Sequence, residues 1–76
     1  MVIEDVNFEF GPERIKRIRL LLGESQFEFA ERIGVAVNTL QRWEGGSHKP
    51  QTAKGLRGLI MAERLAGYLT HRQPVD

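Results

Sequence analysis

Ser25-Gln26-Phe27-Glu28-Phe29-Ala30-Glu31-Arg32-Ile33-Gly34 runs through Val35-Ala36 into Val37-Asn38-Thr39-Leu40-Gln41-Arg42-Trp43-Glu44. Ser25 and Glu28 stand at the spacing of a capping box. The serine hydroxyl can accept from the Glu28 amide while the glutamate carboxylate accepts from the Ser25 amide. Phe29, Ala30 and Ile33 then share one face of the helix, and Gly34 ends it, which predicts a short helix over 26–33. Helices of this length are marginal alone and depend on tertiary packing. Gly34-Val35-Ala36 reads as a tight connection to a second short helix over 36–43. Leu40 and Trp43 point inward on that helix, and Val37, Asn38, Gln41 and Arg42 point outward.

Upstream, Pro12 suits the first position of a helix and Glu13 the positive end of its dipole. Ile15, Ile18 and Leu22 recur at helical spacing, with Leu21 widening the stripe and Arg14, Lys16 and Arg17 facing elsewhere. Gly23 is a natural stop, so the first helix spans about 12–22. Before it, Val6, Phe8 and Phe10 alternate with Asn7 and Glu9 as in an extended arm or short strand, broken by Gly11-Pro12.

Downstream, Gly45-Gly46-Ser47-His48-Lys49-Pro50 has the composition of a loop. A further helix is expected from Gln51 or Thr52, with Ala53, Leu56, Leu59, Ile60 and Leu65 as its apolar face. Gly55 and Gly58 would each cost about 1 kcal/mol inside it relative to Ala, which suggests that they permit close helix approach. Ala66 to Leu69 either extends this helix or starts a fifth. The expected architecture is an all-α, compact four- or five-helix bundle: an N-terminal extended arm over 1–11, a domain over 12–70, and a flexible tail over 71–76.

Composition narrows the function. The 76 residues carry a net charge of +1 and no cysteine, which removes disulfides, thiolate zinc sites and cysteine nucleophiles. The charge is uneven: −3 over residues 1–10, +4 over 11–57 and zero over 58–76. Such a field can attract a polyanion despite a near-neutral total. No apolar run approaches the roughly 20 residues of a membrane span, and the acidic start Met1-Val2-Ile3-Glu4-Asp5 is unlike a signal peptide. The chain is expected to be soluble and cytoplasmic. The two histidines, His48 and His71, do not make up the three or four ligands of a zinc site. Ser47-His48 lacks an orienting carboxylate and an oxyanion hole. Neither an enzyme, a cofactor nor a metal is expected.

Two short helices joined by a three-to-four-residue turn are the arrangement that lays its second helix in the DNA major groove. The details sharpen the match. The Ser25-Gln26 helix start, Ala30 followed by Gly34, the Leu40-Gln41-Arg42-Trp43-Glu44 run and the Gly46 to Pro50 exit resemble the phage-repressor, or XRE, type of helix-turn-helix. The resemblance covers about residues 13–65. It implies that Val37, Asn38 and Arg42 face bases, with Gln41 beside them at a base or a phosphate. Arg can bond guanine O6 and N7, Asn can pair with adenine, and Val37 could meet a thymine methyl. It implies that Gln26 touches the DNA backbone and braces the recognition helix. Thr39, Ser47, His48, Lys49 and Thr52 would approach phosphates, and Arg19 and Glu44 would form a structural ion pair. Two positions depart from the pattern: Ala36 stands where Ser or Thr usually caps the recognition helix, and Val37 is apolar where a polar residue is common.

The resemblance therefore implies a sequence-specific DNA-binding transcriptional regulator, a repressor or antitoxin-type autoregulator. Its expected partner is double-stranded DNA with a pseudo-palindromic operator, bound by a homodimer. The alternative is a module of the same fold whose main partner is a protein such as a toxin. Trp43 falls at a core position and is read as packing. For Phe27, and for Phe8, Phe10 and Tyr68, covering the domain's own core and meeting a partner are both open.

Overall fold

A computed structural model describes residues 10–71, and over that span the chain is four helices and no strand: α1 Pro12–Leu21, α2 Gln26–Ile33, α3 Val37–Gly45 and α4 Ala53–His71. The arm expected over 1–11 falls, up to residue 9, outside the described residues, as do 72–76.

Gly11 enters α1 in extended conformation without a side-chain cap, and Pro12 opens the helix. Ile15 and Ile18 are buried and Leu22 packs on the core behind them. Leu21 does not widen that stripe: it is 52% exposed, because each residue turns about 100° and Leu21 points away from the Leu22 side. Phe10 is buried against the domain's own core, with the Arg14 guanidinium 4.2 Å above its ring. Arg14 also reaches Glu63 through two hydrogen bonds, Nε to Oε2 at 2.8 Å and Nη2 to Oε1 at 2.7 Å, so a single side chain fastens α1 to α4. Tyr68 is exposed, and Phe8 lies outside the described residues.

The capping box of α2 is present in both directions: the Glu28 amide donates to Ser25 Oγ at 3.1 Å, and the Ser25 amide donates to Glu28 Oε1 at 2.9 Å. Gly34 closes the helix in the left-handed conformation at φ 82°. Its amide and that of Val35 both donate to the Ala30 carbonyl. α3 begins one residue later than expected and ends later too. Ala36 is its extended, side-chain-uncapped N-cap, and the helix runs to Gly45 before Gly46 turns it at φ 85°. Phe29, Ala30, Ile33, Leu40 and Trp43 fill the space between α2, α3 and their neighbours.

α4 is one helix of 19 residues, so residues 66–69 extend it and there is no fifth helix among the described residues. Thr52 caps it, its Oγ1 accepting from the Gly55 amide at 3.0 Å. The inward stripe is Leu59, Ala62 and Ala66, flanked by half-buried Leu56, Ile60 and Leu65. Ala53, expected on that face, is exposed in the first turn. The small residues bring α4 close to its neighbours. A Cβ on Gly58 would lie 2.7 Å from the Ile33 carbonyl oxygen, and one on Gly55 3.0 Å from Trp43 Cη2. The close approach read from these glycines is therefore realised at both.

Gly67 is the contrasting case: a Cβ there meets no atom within 4 Å. Gly67→Ala is expected to stabilise the domain by about 0.5–1 kcal/mol through helix propensity alone. In a domain of this size that raises the thermal midpoint by roughly 4 °C. An unchanged or lowered midpoint by circular dichroism would contradict it.

Candidate nucleic-acid interface

The site is built around the carboxylate of Glu44, whose side chain is only 4% exposed. Arg19 of α1, 13% exposed, meets it as a fork, Nε to Oε2 at 2.8 Å and Nη2 to Oε1 at 3.0 Å, while its Nη1 donates to the Glu24 carbonyl at 3.1 Å. This is the ion pair expected between positions 19 and 44. Burial works against the charge on Glu44. The hydrogen bonds from Arg19 and Gln26, with the charges of Arg19 and Lys16, outweigh that and hold the carboxyl below its ordinary value. The Arg19 guanidinium is raised in turn, chiefly by its hydrogen bond to Glu44.

Gln26, the first residue of α2, extends this cluster. Its Nε2 donates to Glu44 Oε1 at 3.1 Å, and its Oε1 accepts from Gln41 Nε2 at 3.3 Å. The first residue of α2 is thus tied to both the middle and the end of α3. The two short helices are held by side-chain hydrogen bonds on their outer edge and by Phe29, Leu40 and Trp43 within.

On the outer face of α3, Asn38, Gln41 and Arg42 are exposed. Val37 departs from the other expected base-facing positions: it is half-buried and packs against the core. Thr39, Arg42, His48, Lys49 and Thr52 line one shallow depression between α3 and the start of α4. Ser47 does not join its lining. It folds back on the end of α3, its amide donating to the Arg42 carbonyl at 3.0 Å with the His48 amide beside it at 3.4 Å. Those two bonds fix the loop that carries Lys49. Ser47 apart, the expected backbone-facing residues fall into two groups: Gln26 at the start of α2, and Thr39, His48, Lys49 and Thr52 around the depression.

Sequence reasoning did not single out two further cations near these elements. Arg32 pairs with Glu24, Nε lying 3.0 and 2.9 Å from the two carboxylate oxygens, which ties α2 to the α1–α2 turn. Lys54 lies across Gly34, its Cε 3.2 Å from where a Cβ would stand. A lysine over the last turn of α2 complements that end of the helix dipole. Only the position of Lys54, two residues after Thr52, could have signalled it. Phe27 is 64% exposed beside Gln26 and does not cover the core. Among the described residues no group of His, Asp or Glu could hold a metal, and no helix is long and apolar enough to cross a membrane.

A family model described as Helix-turn-helix matches residues 15–54, from the middle of α1 to the first turn of α4. No match to a curated protein is found. The matched span is more than half of the chain and contains α2, the turn and α3 entire, so the chain belongs to the lambda-repressor-like (XRE) helix-turn-helix family, a DNA-binding domain of transcription regulators.

Proposed function

We propose that the protein is a sequence-specific regulator of transcription, a repressor or antitoxin-type autoregulator, in which α3 enters the major groove. The observation that carries this reading is the two-sided character of α3. Leu40 and Trp43 are buried, Glu44 is pinned by Arg19, and Asn38, Gln41 and Arg42 are left exposed on one rigid short helix. The major groove, about 12 Å wide, admits one helix of this kind. Asn38, Gln41 and Arg42 read base edges, with Val37 contributing at most its outer methyl surface. Gln26, Thr39, Ser47, His48, Lys49 and Thr52 face the phosphates. One α3 offers few base contacts, so useful affinity calls for a cytoplasmic homodimer on a pseudo-palindrome with half-sites about one helical turn apart.

Selection of bound duplexes from a random pool tests this directly: a recovered site with two-fold symmetry is expected. On that site Arg42→Ala is expected to lose about 1–3 kcal/mol of discrimination at one base pair. Lys49→Ala should weaken all duplexes alike and reduce the salt slope by about one. Unchanged site preference in Arg42→Ala would remove Arg42 from the base-reading set. Salt-insensitive or absent binding to every duplex, with a stable complex to a protein such as a toxin, would replace the proposal by the protein-binding alternative.

A further inference from the structure

Arg19, Glu44, Gln26 and Gln41 form one chain of hydrogen bonds from α1 to the outer face of α3, and its direction is fixed at the buried end. A guanidinium only donates and an ionised carboxylate only accepts. Glu44, holding the Arg19 fork, therefore requires Gln26 to present Nε2, which lies 3.1 Å from Oε1 of Glu44. With its nitrogen end held at Glu44, Gln26 turns its Oε1 toward Gln41, and an amide oxygen only accepts. Gln41 must approach through Nε2, at 3.3 Å, and its Oε1 is left facing away from Gln26 on an exposed side chain. The orientation of an amide is usually free to suit its partner. Here a buried charge two side chains away dictates it.

We infer that Glu44, acting through Gln26, sets the polarity of the Gln41 amide, so that the protein selects an exocyclic amino group, adenine N6 or cytosine N4, at the base pair Gln41 meets. This rests on α3 being the base-reading helix. The outward Oε1 can accept from an amino group, whereas guanine O6 or thymine O4 opposite it sets oxygen against oxygen and leaves only the remaining Gln41 N–H to bond. Gln41 Nε2 keeps one N–H after serving Gln26. At adenine that N–H can donate to N7 while Oε1 accepts from N6, the two-bond pattern for glutamine. Cytosine gives one bond of the two, so the order of preference is adenine, then cytosine, then guanine and thymine. Glu44 and Gln26 touch no base in this scheme. They are positioning residues that decide which base an exposed neighbour accepts.

The test uses the full chain and the duplex recovered from the random pool, remade with one exocyclic amino group deleted at a time (purine for adenine, pyrimidinone for cytosine). One deletion is expected to weaken wild-type binding by about tenfold, the order of one good base contact, and to leave Gln41→Ala binding unchanged. Gln26→Met, which keeps length but neither donates nor accepts, should lose the preference for adenine over guanine at that position while keeping discrimination at the base read by Arg42. Gln41→Ala alters an exposed side chain, so its comparison stands whether or not Gln26→Met folds. A site in which no amino deletion separates wild type from Gln41→Ala overturns this inference alone. So does a folded Gln26→Met that keeps full preference for adenine. Recovery of no duplex at all overturns the DNA-binding reading and this inference with it.

Discussion

Gly58→Val is expected to lower the unfolding free energy by about 3 kcal/mol, the upper end of what overpacking a tight core costs. The substitution would ordinarily help a helix, since glycine is about 1 kcal/mol worse than alanine in a helix interior. The gain is outweighed because the first atom of any side chain would lie 2.7 Å from the Ile33 carbonyl oxygen and 2.9 Å from Ile33 Cβ. A carbonyl oxygen cannot rotate aside as a lysine tip can. Either α2 or α4 must shift as a body, and α2 is also tied to α3 through Gln26 and to the α1–α2 turn through Arg32. A domain of this length has about 4–11 kcal/mol in total, so the loss is a large share. Urea unfolding should show a lower midpoint with an unchanged slope, the mark of lost stability without a change in the surface exposed. A midpoint equal to wild type would mean that α2 and α4 are not in the close contact described.

Gly58 also shows which features the sequence made legible. A glycine inside an apolar helical stripe has few local reasons to be there, and close packing is the one it points to. The capping box of Ser25 and Glu28, the stop at Gly34 and the inward phase of Leu40 and Trp43 were readable for the same reason. Each rests on residues within four positions of one another, where helical geometry alone dictates the outcome. The outward phase of Asn38, Gln41 and Arg42 follows from the inward phase of the other two.

What the sequence left hidden depends on which neighbours arrive from far along the chain. Arg14 and Glu63 are 49 residues apart, and nothing local to either marks the pair. The stripe of α4 passes through Ala62 and Ala66 and leaves Ala53 outside, because closeness to α1 and α2 favours small residues over the larger apolar ones that a sequence scan weights. Val37 lay at an outward position by phase, yet it half-buries against the core where α3 begins without a side-chain cap. The bond from Gln41 to Gln26 joins residues 15 apart in the chain and becomes visible only once α2 and α3 are set side by side.

Glu44→Ala is expected to cost about 3 kcal/mol, because removing one partner of a buried ion pair leaves the other charge without compensation. The Arg19 side chain is only 13% exposed and would keep the Glu24 carbonyl but lose both carboxylate bonds. The double variant Arg19→Met/Glu44→Leu, which removes both charges while keeping bulk, should recover most of that loss. The same pair sets a pH dependence. Arg19 and Gln26 hold the folded Glu44 carboxyl below its ordinary value, so the stability it contributes is fully present above the ordinary carboxylate range. It is lost as pH falls through the lower, folded value, where the protonated carboxyl no longer pairs with Arg19. Wild type should therefore lose stability in acid more steeply than Glu44→Gln, whose amide does not titrate. Parallel urea midpoints for the two proteins from neutral pH down into that acid range would remove Glu44 as the cause. Because Gln26 takes its orientation from the same carboxylate, acidification within the folded range also releases the brace between α2 and α3. Base discrimination at the Gln41 contact should thus fall while the domain is still folded, a loss that an ion pair stabilising only the fold would not produce.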